Sequence, residues 1–158
     1  MVRKALVFVL VFTLFLSLIP IGNASVTVTT SLNDEATGYP SQRKTFWANG
    51  YVWLFYSEGT NMVYRTSSDS GETWSSATTV RACTRGRMFS VVTNGTHVYY
   101  AYGNEGSAAA GFVYVRRGII SGASITWDAE QQADVGGVGD KIGYYPSISV
   151  TTNYVYVI

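Results

Sequence analysis

The run Val52-Trp53-Leu54-Phe55-Tyr56 returns 46 residues later as Val98-Tyr99-Tyr100-Ala101-Tyr102, and its start returns again as Val155-Tyr156-Val157-Ile158. Asn49-Gly50 and Asn94-Gly95 precede the first two copies, and Asn153 holds a similar place before the third. Downstream, Met62-Val63-Tyr64-Arg65 is echoed by Phe112-Val113-Tyr114-Val115, and Thr73-Trp74 by Thr126-Trp127. Asn-Gly readily takes the positive φ angles of tight hairpin turns. Short β-branched and aromatic runs between such turns read as strands. A repeating unit of this size holds several short strands and cannot bury its apolar face alone. It must stack on its neighbours, which is how the blades of a β-propeller are built.

The stretch Ser67-Ser68-Asp69-Ser70-Gly71-Glu72-Thr73-Trp74 carries the second constraint. Short Asp and Ser side chains bond backbone N–H groups inside a tight turn. Gly71 supplies a positive φ without steric cost. Trp74 offers an apolar body to pack over the turn. With the pattern S-x-D-x-G-x-T-W matched at Ser67, Asp69, Gly71, Thr73 and Trp74, the stretch resembles the Asp-box, or bacterial neuraminidase repeat, of sialidase-like β-propellers. That family uses the motif to close a hairpin away from the ligand face, so it implies a fold more than an activity. In the second unit, residues 119–126 keep Gly122 but lack the Asp. The longer spacing there, 53 residues from Trp74 to Trp127, predicts longer loops.

The expected architecture is therefore all-β: a partial β-propeller of four-stranded antiparallel blades, about two and a half of them. Residues 43–80 form the first blade, 87–135 the second and 146–158 the start of a third. First-blade strands are expected near 44–48, 51–56, 61–66 and 73–80. Second-blade strands are expected near 88–93, 97–102, 111–116 and 124–130. Residues 25–42 read as a lead-in, with a strand over 25–30. Propellers close with about four to eight blades. The chain is thus expected to be the N-terminal part of a longer protein, self-associating through the apolar edge at 154–158.

Residues 1–24 read as a secretory signal peptide. Arg3 and Lys4 precede an apolar run from Ala5 to Ile19, and the small residues Gly22 and Ala24 suit cleavage before Ser25. The run is short for a membrane span, although an uncleaved anchor is the alternative. Either way the remainder is expected outside the cytoplasm, secreted or at the cell surface. Without that segment, nine basic residues face ten acidic ones. This balance argues against nucleic-acid partners and against an anionic membrane surface. Abundant Tyr, Trp and Gly favour strands. Cys83 stands alone, which excludes an internal disulfide. It reads either as a small buried hydrophobe or as half of a pair with sequence elsewhere.

The family resemblance implies a Tyr nucleophile rather than two carboxylates, an arginine cluster gripping a sugar carboxylate, and an Asp acid/base. The family's first arginine lies in a Phe-Arg-Ile-Pro motif. Here Gln42-Arg43-Lys44-Thr45-Phe46 occupies that region with no Ile-Pro after it. Ser57-Glu58-Gly59-Thr60-Asn61 offers no Asp for the acid/base loop. Arg43 and Arg87, at the starts of inner strands, are the ligand-contacting candidates. Glu58 reads as a solvated turn residue. His97 is the only histidine, which leaves no His-based triad or multi-histidine metal site. Asp128, Glu130 and Asp134 read as surface carboxylates. No metal and no cofactor are expected. The sequence thus points to a secreted, glycan-directed sialidase-like propeller, inactive by itself, with glycan or glycoprotein as partner. The alternative is a non-enzymatic extracellular propeller for interaction or scaffolding.

Overall fold

A computed structural model describes residues 26–31, 36–37, 42–83, 88–103, 112–133 and 145–158. The described residues are all-β and contain no helix. The first sheet pairs β1 (Thr45–Ala48), β2 (Tyr51–Ser57), β3 (Asn61–Ser67) and β4 (Thr78–Ala82) in sequence order. The second pairs β5 (Phe89–Thr93), β6 (His97–Gly103), β7 (Val113–Ser121) and β8 (Ser124–Trp127), and β9 (Gln131–Gln132) joins β7. β10 (Ile148–Val150) and β11 (Val155–Val157) form a third, two-stranded sheet. Every pairing is antiparallel.

The two-residue period of the strands explains how the sheets stack. In β6, Val98, Tyr100 and Tyr102 point into one core cluster with Trp53, Phe55, Met62 and Tyr64 of the first sheet. Ala101 points the opposite way, into a second cluster with Val92 and Ile148, against which Tyr99, Val115, Val150 and Val157 pack. The middle sheet is therefore apolar on both faces and lies between the other two. Its aromatic rings do much of the joining: Phe55 stacks on Tyr100 at 6.5 Å, and Trp127 meets both edge-on at 6.4 and 6.2 Å. Trp53 is fully buried and its indole N–H donates to the Ala48 carbonyl. Cys83 is buried in the first cluster, in keeping with a packing role.

The two Asn-Gly dipeptides make different turns. Asn49 (φ 53°) and Gly50 (φ 83°) both adopt the left-handed region, which gives the two-residue turn that pairs Ala48 with Tyr51. At the second, the Asn94 side chain instead accepts from the backbone N–H groups of Thr96 and His97, so Thr93 pairs with Val98 across a longer loop.

Several strand expectations need correction. The strand expected over 124–130 stops at Trp127 and resumes at Gln131, which makes the second sheet five-stranded rather than four-stranded. Residues 26–31 carry no strand. Their alternation of Val with Ser or Thr is suitable, but a strand also needs a ladder partner. The fourth strand of the first sheet starts at Thr78 rather than Thr73, because residues 68–77 form a side-chain-bonded loop. In the second sheet the equivalent connection is shorter, not longer: β7 continues to Ser121 and β8 begins at Ser124. The proposed signal peptide and its cleavage point lie outside the described residues. No helix among the described residues is long and apolar enough to cross a membrane.

Candidate functional site

The loop after β3 brings all five motif residues together. Asp69 Oδ1 accepts from Ser67 Oγ at 2.7 Å and from the Thr73 backbone N–H at 2.9 Å, while Oδ2 accepts from Thr73 Oγ1 at 2.5 Å. Ser67 Oγ in turn accepts from the Gly71 N–H at 2.8 Å. Ser70 (φ 62°) and Gly71 (φ 99°) make the reversal that lets these donors converge. The Trp74 indole N–H donates to the Gly71 carbonyl at 3.0 Å, which lays the ring over the turn. The Thr73 hydroxyl, then its backbone N–H, then Ser67 hold the Asp69 carboxyl well below the usual carboxylate range. Each motif group is thus engaged by another motif group. The chemistry on offer is a locked turn.

The stretch around Arg43 works as a joint between sheets. The Arg43 N–H donates to Ser90 Oγ at 3.2 Å, and its carbonyl accepts from the Val91 N–H at 2.9 Å. The backbone is thereby tied to β5 while the side chain stays exposed. Gln42 is buried, and its amide donates to the Pro146 carbonyl at 3.0 Å, which links the first sheet to the third. Arg87 lies outside the described residues, so Arg43 is the arginine candidate that can be placed.

Lys44 is the residue that sequence reasoning passed over. Its ammonium donates to the Phe89 carbonyl and to Gln42 Oε1, and sits 3.4 Å from the centre of the Phe89 ring. Burial pushes its pKa from 10.5 down to about 7. The two acceptors and the ring face favour the charged form and oppose that burial. Nothing in the local pattern marks Lys44, because its burial comes from a strand 45 residues away.

The other candidates Glu58, His97 and Asp128 are each engaged by a neighbour. Glu58 is half-buried rather than fully solvated: it bridges the β2–β3 turn, accepting from Asn61 Nδ2 at 2.9 Å. His97 meets the Thr96 hydroxyl at 2.9 Å and lies beside Tyr99. Asp128 is paired with Arg117 at 2.6 Å, and Asp134 lies outside the described residues. Among the described residues no three His, Cys, Asp or Glu side chains converge to hold a metal ion. Comparison with protein-family models, with curated proteins and with solved structures gives no match.

Proposed function

We propose that the chain is a secreted, glycan-directed protein of the sialidase-like Asp-box propeller type, which acts on sugars by binding them rather than by cleaving them. The carrying observation is the Ser67–Asp69–Gly71–Thr73–Trp74 network, in which the carboxylate is used up in closing a turn. The face-to-face stacking of the sheets through two apolar clusters is what blades of a propeller would require. Arg43 is the proposed ligand contact: its backbone is fixed at a sheet junction and its guanidinium is exposed. Binding rather than hydrolysis is supported by the 57–61 turn, which has no Asp and in which Glu58 accepts from Asn61.

The test is a fluorogenic sialoside assay run beside a panel of immobilised glycans. The expected result is no turnover, with glycan retention that Arg43→Ala weakens. Turnover abolished by Arg43→Ala would make the chain an enzyme and overturn the binding reading. Absence of retention would favour an extracellular interaction scaffold. That second reading draws on Tyr154, just before β11, and Tyr156 within it, which are 66% and 50% exposed.

A further inference from the structure

The outer edge of the middle sheet is broken. β8 ends at Trp127 and β9 begins at Gln131, so residues 128–130 leave the ladder opposite Arg116 and Arg117. The break is held in place. The Asp128 N–H donates to the Arg117 carbonyl at 2.8 Å, and Arg116 Nε donates to the Asp128 carbonyl at 3.2 Å. Interruptions of this kind bend a strand and re-aim side chains, and they recur beside binding sites.

Here the break borders a cavity of about 330 Å³ between the middle sheet and β11. Tyr99, Val115 and Val155 contribute its apolar wall, and Arg117, Asp128 and Gln131 its polar rim. Arg117 Nε and Asp128 Oδ2 are 2.6 Å apart, yet the two side chains remain 55% and 40% exposed. Both charged groups are therefore oriented by each other while keeping free lone pairs and N–H groups for a ligand. The volume lies at the small end of ligand sites.

We propose that this cleft binds a neutral pyranose monosaccharide. A pyranose has C–H faces that need an apolar wall and a rim of hydroxyls that both donate and accept. The Asp128 carboxylate accepts, the Arg117 guanidinium donates, and the Gln131 amide does both. Planar groups of this kind span two neighbouring hydroxyls. Selection against charge comes from the ion pair. An anionic sugar would approach the Asp128 carboxylate or displace it from Arg117, whereas a neutral one leaves the pair intact. The choice of sugar as ligand class rests on the glycan-directed reading, but the site uses none of the residues around Arg43.

The experiment is a titration of the isotopically labelled full chain, followed by amide chemical shifts. The probes are glucose, galactose, mannose and N-acetylglucosamine, with glucuronate as the anionic control. At least one neutral sugar is expected to give saturable shifts at Tyr99, Arg117, Asp128 and Gln131, with a Kd on the order of 1 mM. Glucuronate should give none. Gln131→Ala changes an exposed residue and should weaken binding about tenfold or more. Asp128→Asn should weaken it too, and Arg43→Ala should leave it unchanged. No saturable shift with any neutral sugar, or shifts that survive both Gln131→Ala and Asp128→Asn, would overturn the proposal. Arg43-dependent glycan retention without shifts at the cleft would sink the cleft and leave the glycan-directed reading standing. Shifts at the cleft without that retention would leave the cleft standing and remove Arg43 as a glycan contact.

Discussion

The first and second sheets close the same hairpin, between third and fourth strands, in two ways. In the first, residues 68–77 separate β3 from β4, and the Asp69 carboxylate and the Ser67 hydroxyl hold that loop from within. In the second, Gly122 and Ala123 alone separate β7 from β8, with Gly122 at φ 57° and Ser124 Oγ donating to the Ser121 carbonyl. One turn is a long loop held by a carboxylate and hydroxyl network, and the other is a tight two-residue turn with a single side-chain bond within it. Without a side-chain acceptor to support a loop, the strands zip to the shortest turn available. The Asp69 network therefore maintains an excursion of the chain and is not needed to form a hairpin as such.

The tryptophans follow the same division. Trp127 sits in β8 and packs against Phe55 and Tyr100 at the seam between sheets. Trp74 lies outside any strand and covers its own turn. Trp127→Ala should therefore lower stability by about 3 kcal/mol, and Trp74→Ala by only about 1 kcal/mol, in chemical denaturation. Equal losses would show that both rings serve the seam and would remove the contrast.

Glycines sharpen the comparison next. A Cβ on Gly118 would come within 2.3 Å of Ile125 Cγ2 and 2.9 Å of Trp127 Cε3. Gly118→Ala should then cost about 1–3 kcal/mol through overpacking. Gly122→Ala meets open space and bears only the strain of a positive φ, about 1 kcal/mol. If Gly122→Ala proved the worse of the two, turn strain rather than strand packing would govern the second hairpin.

The junction at Lys44 makes a pH prediction. Its folded-state pKa is depressed to about 7 from 10.5, so the native state binds fewer protons than the unfolded chain between those values. Stability should be greatest above 10.5 with respect to this group, and should fall as the pH drops toward about 7, where it levels off. The slope between those two values can reach at most about 1.4 kcal/mol per pH unit. Comparison of thermal melts for the wild type and Lys44→Met isolates this contribution. A slope that persists in Lys44→Met would assign it to other groups.

Local patterns carried most of the strand layout. The β2 and β6 repeats are apolar at successive positions because each packs on the first core cluster through one face, while the opposite face is also covered. Such runs are legible without a partner. The turn chemistry was legible too, since Asp69, Gly71 and Thr73 act on one another within a few residues. What the sequence concealed is set by distant contacts. Residues 26–31 have strand-like composition and no strand. Lys44 becomes buried through β5, and the Asp128 break depends on Arg116 and Arg117 reaching across from β7. The echo of Thr73-Trp74 in Thr126-Trp127 was real in letters, but the two pairs occupy different local structures.

The Asp69 network is expected to have the smallest effect on global stability and the sharpest local one. Its contribution, present above the ordinary carboxylate pKa, should fade as the pH falls through and below that range, because protonation removes the acceptor. The most direct measurement is amide hydrogen exchange at neutral pH, residue by residue, in the wild type and in Asp69→Ala. The Thr73 N–H, bonded at 2.9 Å to the lost carboxylate, should lose protection, as should the Gly71 N–H once Ser67 is released. The hairpin at Ser121–Ser124 should exchange as before. Retained protection at Thr73, or equal loss in both hairpins, would contradict the claim that the Asp69 carboxylate holds the first turn and that the second closes independently of it.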